Sequence, residues 1–225
     1  MPDYLVLALV APMGAFGELA GHERRGTHMW PGRSAILGLL GAALGIRRDD
    51  GAGQAGLADW RMAVSVLGQG HGFEDFHTVQ TVPSARIKLP DTRRAALAAL
   101  TPADNAVITR REYRTDCCFG VALWGGQGMD ALQAALKRPV FTPYLGRKSC
   151  PLSAPMAPDT VTAADAVAAL AQVKLPDRLA GATPLLIASD GPLEGARQET
   201  RWDDPIDRTA WHFAPRVVHI AGVGR

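Results

Sequence analysis

PGRSAILGLLGAALGIRRDD, residues 31–50, decides how the rest of the chain is read. Ile36, Leu39, Leu40, Ala43 and Leu44 recur at i, i+3, i+4, i+7 and i+8, which predicts an α-helix with one apolar face. Gly38, Gly41, Ala42 and Gly45 form a second strip almost free of side chains. A glycine inside a helix costs about 1 kcal/mol against alanine, so this strip is expected to let another backbone, that of a sheet, come close. Gly45 fits a C′ stop, and Arg47 and Arg48 follow where the helix dipole favours cations. Pro31, Gly32, Arg33 and Ser34 open the helix. Its free N–H groups suit an anion, with a guanidinium and a hydroxyl beside them; a capped core helix with nothing bound is the plainer alternative.

The 225 residues, 47% hydrophobic and 20% charged, suit one globular domain, or one domain with a small second lobe. The apolar runs at 5–10 and 35–46 are too short and too broken by glycine to span a bilayer. No basic stretch followed by an A-x-A-like site marks a signal peptide at the start. Cys117, Cys118 and Cys150 lack the paired spacing of a disulfide framework or a zinc site. A reducing cytoplasm is therefore the expected location, with no membrane, cofactor or metal. Net charge is only +2, yet residues 1–150 hold 17 Lys/Arg against 13 Asp/Glu and residues 151–225 hold 7 against 9. Residues 86–114 alone carry 7 basic and 3 acidic side chains. Arginine outnumbers lysine 20 to 4, and arginine is the side chain of bidentate phosphate contacts and base stacking.

Along the chain, Tyr4–Val10 reads as a buried strand and 11–32 as a Gly-rich loop carrying His22, Arg24, Arg25, Thr27 and His28. Arg61–Leu67 and Asp75–Val82 read as two strands of one sheet, the second carrying His77. Residues 83–106 are bounded by prolines and contain PDTRRAALAAL, a short helix with Asp91 or Thr92 as N-cap. This basic, alanine-rich stretch buries little and reads as an excursion from the core. Ile108–Tyr113 and Cys117–Trp124 form the next strand region, Met129–Leu136 a helix, and FTPYLGRKSCP at 141–151 a basic loop. Three prolines at 151–158 suggest a boundary, followed by a helix at Ala163–Val173 and short strands at Leu185–Ala188 and Val217–Ile220. The order strand, helix, strand, strand, helix, strand is that of a split βαβ, ferredoxin-like α+β unit.

No P-loop, G-x-S-x-G, H-E-x-x-H or G-x-G-x-x-G context is present, and the six histidines show no metal-ligand spacing. Asp49–Asp50 and Asp203–Asp204 read as turns. What recurs is a guanidinium beside a hydroxyl or an aromatic ring on loop-like segments: Arg33–Ser34, Arg110–Arg111 with Tyr113, and Tyr144 with Arg147, Lys148 and Ser149. Arginines and backbone amides bind phosphates, and tyrosine stacks on bases, so together these point to RNA binding.

The segments GRSAILGLLGAALGIRRDD, DFHTV, ITRREYRTDCCFGVAL and YLGRKSCPLSAP occur in the order of the motif set of the CRISPR-associated CasD family, a subunit of the type I-E Cascade surveillance complex. The resemblance runs from Tyr4 to about Pro155. It implies an RRM-related core of the repeat-associated mysterious protein (RAMP) type at 1–150, a projecting thumb at about 83–106, and a smaller β-containing C-terminal lobe at 151–225. It implies a non-catalytic subunit that caps the 5′ handle of CRISPR RNA and contacts the Cascade backbone subunits and the large subunit, meeting target DNA only through the complex. The expected RNA contacts are Arg25, Arg33, Ser34, His77, Arg110, Arg111, Tyr113, Arg147, Lys148, Ser149 and Cys150. Gly14–Ala15–Phe16–Gly17 stands where the family usually has Gln-Ser/Ala-Trp-Gly, and Gly32 and Ala35 stand where Thr and Gly usually flank the Arg-Ser pair. The rival readings are a metal-independent endoribonuclease that processes repeat RNA, with His22, His28, His71 or His77 as base, and a stand-alone metabolic α+β protein.

Overall fold

The computed structural model describes residues 1–21, 23–68, 70–80, 82 and 90–223. The first apolar run forms β1 (Asp3–Gly14), which starts one residue before Tyr4–Val10 and ends four residues after it. Alternation decides its two faces. Leu5, Leu7 and Leu9 enter one hydrophobic cluster, Tyr4 and Val6 another on the opposite side. The stretch expected to be a loop also holds a small hairpin, β2 (Gly17–Ala20) with β3 (Arg24–Thr27).

The helix read from 31–50 is α1 (Arg33–Leu44), with Ile36, Leu39, Leu40 and Ala43 buried on the sheet. It ends as expected at Gly45, in the left-handed region with φ 77°. A short helix α2 (Gly51–Gly56), capped by Asp50, leads to β4 (Arg61–Gly68) and β5 (Gly72–Gln80). α3 (Arg93–Ala98) is capped by the Thr92 hydroxyl, which accepts from Ala95 N at 3.1 Å. Of the excursion at 83–106, residues 83–89 lie outside the described residues, as does His22.

The two strands expected around 108–124 are one, β6 (Ala106–Trp124). Its second half lies between β1 and β4, both antiparallel to it. Its first half extends past the core between β5, antiparallel, and β3, parallel. α4 (Met129–Lys137) contributes Leu132 and Leu136 to the cluster under α1. β7 (Asp159–Thr162) then pairs antiparallel with the free side of β1. α5 (Ala166–Leu170) covers the second cluster on the other face of the sheet.

The C-terminal part departs from expectation. It does not stand apart as a lobe. β8 (Leu186–Ser189) pairs with β4, β10 (His212–Gly222) with β8, and β9 (Arg197–Asp207) with β10, so one curled sheet of ten strands runs through the described residues. Nor do the prolines at 151–158 mark a boundary. Ala8 N donates to Met156 O at 2.8 Å and Ser153 N to Val10 O at 2.8 Å, so this stretch is laid along β1. No helix among the described residues is long and apolar enough to cross a membrane.

Cys117, Cys118 and Cys150 are all buried. Burial, with Cys150 nearby adding to it, pushes the Cys117 thiol up to about 12. Thiolate is the reactive form, so native protein at pH 8 should resist a thiol reagent such as DTNB, whereas unfolding in guanidinium should release all three cysteines to it. Labelling of Cys117 in the folded chain would contradict this packing.

Candidate nucleic-acid interface

The glycine strip of α1 has two uses. Val140 N donates to Ala43 O and Phe141 N to Ala42 O, each at 3.0 Å, so the segment after α4 supplies donors to carbonyls in the last turn of the helix, where Ala42 O also accepts from Gly45 N. The close backbone partner is thus residues 140–141 and not a sheet. Ser34, Ala35, Gly38 and Ala42 instead floor a groove of about 760 Å3. Its walls carry aromatic rings, Phe16, Tyr144, Trp211 and Phe213, and cations, Arg47, Arg48, Lys148 and Arg208. Small residues below, rings and cations around: such a groove admits a sugar–phosphate backbone and offers surfaces to bases.

The 141–151 loop is built to present its tip. Leu145 N donates to Cys150 O and Cys150 N to Arg147 O, each at 2.9 Å, while Leu145 and Cys150 are buried as anchors. Gly146 has φ 82°, and a Cβ there would stand 1.7 Å from Ala15 O. The loop therefore lies against the end of β1, with Lys148 and Ser149 exposed. Cys150 was expected, with Ser149, to offer backbone and side-chain groups to a nucleotide. It is fully buried, so its part is to anchor the loop.

Arg147 connects the groove to the projecting half of β6. Its guanidinium donates to Glu112 O at 3.1 Å and Arg25 O at 3.3 Å and lies 4.5 Å over the Tyr113 ring. Tyr113 is 5% exposed, stacked on its other side by Phe73 at 5.3 Å. The expectation that Tyr113 stacks on a base does not hold, because both faces of the ring are covered.

Parallel pairing of β3 with β6 sets Arg24 beside Arg110 and Arg25 beside Arg111. Like charges directly opposite across strands are destabilising. Arg24 is neutralised by Glu112, accepting at 2.7 Å. Arg147 lies beside Arg25 and donates to its carbonyl, and among the described residues the Arg111 Nε–H is buried without a partner. Asp75 faces Arg111 in the β5–β6 register, but its carboxylate lies 2.6 Å from His77 Nε2. Arg110 is on the opposite face of the ribbon, over Phe76.

Arg33 and Ser34 separate. Ser34 is at the groove, its carbonyl accepting from Arg208 Nη2 at 2.9 Å. Arg33 is 7% exposed and turned inward. It donates to Asp204 Oδ1 and Trp60 O at 2.6 Å, to Asp190 Oδ2 at 3.1 Å, and to Ala58 O. The helix start is taken as well, because Arg33 N donates to Asp203 Oδ2 at 2.8 Å. An intramolecular carboxylate holds the place expected for a bound anion, so Arg33 is a structural tie and not a phosphate ligand. Gly32 permits this: a Cβ there would stand 2.2 Å from Asp203 Oδ2. Burial raises the Asp190 carboxyl above its usual range against the pull of Arg216 and Arg33. For Asp203 burial acts the same way, but bonds from Arg216 and the Arg33 amide hold its carboxyl below the usual range.

Of the histidines, His28 borders the groove; burial and then Arg201 push its pKa down. Among the described residues no group of three or more His, Cys, Asp or Glu is placed to hold a metal ion. The sequence reading missed Arg47, Arg48, Arg208, Trp211 and Phe213 as groove residues. Arg47 and Arg48 were visible as a basic pair, but Arg208 and Trp211 come from the β9–β10 turn and Phe213 from the start of β10, far away in sequence.

A family model described as CRISPR-associated protein (Cas_Cas5) matches residues 4–219. The CRISPR system Cascade subunit CasD of Escherichia coli (strain K12) is 36% identical over 189 residues, covering 76% of each chain. A chain of a solved CRISPR RNA-guided surveillance complex superposes with a TM-score of 0.68 at 25% identity, over 98% of this chain and 89% of that one. A crystal structure titled as a Cas protein gives 0.61 at 26% identity, over 97% and 94%.

Proposed function

Because the chain belongs to the CRISPR-associated Cas5 family, we propose that it is a non-catalytic, RNA-binding subunit of a type I-E Cascade complex and caps the 5′ handle of CRISPR RNA. The observation that carries this is the band of cations at one side of α1. It runs from Arg47, Arg48 and Arg208 through Lys148 to Arg147, with Arg25 and Arg111 side by side at its end. A fold selected for stability alone gains nothing from that cross-strand arginine pair; a phosphate between the two guanidinium groups turns the repulsion into attraction. The strand order β7–β1–β6–β4, with α1 between β1 and β4 and α4 between β6 and β7, supports a ferredoxin-like, RAMP-type core. The ribbon of β5 and the outer half of β6, with the chain between them, serves as the thumb. Its exposed Phe76 and Ile108 suit a neighbouring backbone subunit.

RNA binding is tested by titrating a guide RNA with its handle across a salt series. Lys148→Ala is expected to flatten the slope of log K against log salt by roughly 0.7, one phosphate contact on a single strand. Arg147→Ala is expected to do the same and, through the lost packing on Tyr113, to reduce stability slightly. Unchanged slopes in both variants would remove the loop from the interface. Incubation with repeat RNA in EDTA tests the rest: specific cleavage lost in His28→Ala would replace this reading by the endoribonuclease one.

A further inference from the structure

At one end of the groove, and sharing Arg47, Arg48, Arg208 and Trp211 with it, a pocket of about 430 Å3 lies between the end of α1 and the turn joining β9 to β10. Arg47, Arg48, Arg208 and Trp211 line it together with Thr209 and Asp49, whose exposed carboxylate lies 3.8 Å from Arg47 Nε and leaves the three arginines in excess. Its volume is within the range of small-ligand sites. Arg48 sits 4.7 Å over the indole of Trp211, the Phe213 ring is tilted against it at 6.3 Å, and the residue is still 60% exposed. Arg208 is half-buried, and its Nε–H is buried with no partner among the described residues.

The turn holds these groups at a cost. Trp211 has φ 57°, the left-handed region that a bulky side chain rarely adopts. The Asp207 carboxylate accepts from Thr209 N at 2.7 Å and Ala210 N at 3.0 Å, which fixes the turn ahead of it. Strain of this kind persists only where the surroundings impose it, and it gathers at binding sites.

We propose that this pocket seats one nucleotide of a single-stranded RNA, its base stacked on Trp211 and its phosphate gripped by Arg47 and Arg208. The proposal deepens the RNA-binding reading above and rests on it. A guanidinium over one face of an indole leaves a polarised surface for a base, and an unspent Nε–H beside a second arginine matches phosphate oxygens. An acidic protein segment would use the arginines but leave the strained, exposed ring without a role, so the nucleotide is the better fit.

The test uses the full chain and a single-stranded RNA of the repeat-derived 5′ segment, dye-labelled at its 3′ end and read by fluorescence anisotropy. A set of the same RNA with one abasic position each locates the stacked base. One abasic position is expected to weaken binding roughly 5- to 150-fold, the range for one stacked base. Trp211→Ala should weaken intact RNA by a similar factor and abolish the effect of that one abasic position, while Trp211→Phe keeps most of the affinity. Arg208→Ala should flatten the salt slope by roughly 0.7. Salt-dependent binding that needs Lys148 but is indifferent to Trp211→Ala overturns the seat and leaves the RNA reading intact. No salt-dependent RNA binding at all overturns both. If Trp211→Ala instead loses only the association with a partner subunit, the pocket is a protein-docking site and the proposal fails.

Discussion

Replacing Arg33 with alanine is expected to destabilise the fold by about 3–5 kcal/mol, the cost of removing one member of a buried ion pair. Its guanidinium holds Trp60 O, Ala58 O, Asp190 and Asp204 together, and so ties α1 to β4 and to the C-terminal strands. Without it two carbonyls lose their donor, and among the described residues Asp190 keeps Arg216 alone as an ion-pair partner. The defect should grow with pH. The folded-state pKa of Asp190 is already above its ordinary value. Below the unfolded pKa the group is protonated in both states and the lost charge partner matters little. As pH rises past the folded pKa, Asp190 is charged in the buried site and the full cost appears. Urea melts of Arg33→Ala at acid and neutral pH check both size and sign. The RNA salt slope should be that of the wild type. A flattened slope with unchanged stability would restore Arg33 to the RNA and remove it from the tie.

Arg33 shows where sequence reading stops. The α1 helix was legible because its signals are local: apolar spacing, glycines, and a stop at Gly45 are all within fifteen residues. The same holds for Thr92 as a cap and for the strands at β1, β4 and β8. The loop at 141–151 was legible as a basic element because its cations are consecutive. Arg33 looked like an anion ligand because its partners Asp190, Asp203 and Asp204 lie more than 150 residues away. Read locally, Asp203–Asp204 is a polar turn; in the fold one carboxylate caps α1 and the other pairs with its first residue. Tyr113 failed for the same reason, since Phe73 and Arg147 reach it from two separate segments. Strand β9 escaped because its mixture of Arg, Glu, Asp, Trp and Pro carries no clean alternation. Pairing with β10 makes it a strand, and its arginine and aspartate are buried only through the ion network behind it.

Substitutions at Gly38 should separate stability from RNA capture, in opposite directions. Gly38 lies mid-helix at the groove floor, and a Cβ there would meet only Arg208, at 3.6 Å from Nη1, an ordinary contact. Gly38→Ala therefore fits, and it should stabilise the chain by about 0.5–1 kcal/mol through helix propensity and a less flexible unfolded state. Gly38→Leu keeps the propensity gain but extends four carbons into the groove and displaces Arg208. It should weaken binding of the handle RNA by about 1–3 kcal/mol, roughly 5- to 150-fold, as one closely packed nucleotide is lost. Urea melts and RNA titrations of the two variants measure both effects. The pair separates the two surfaces on which RNA could lie. If RNA crosses the small-residue face of α1, the leucine blocks it however stable the fold becomes. If Gly38→Leu binds like the wild type, the RNA contacts belong to the β5–β6 ribbon and the 141–151 loop alone, and the glycine strip serves only the backbone of residues 140–141.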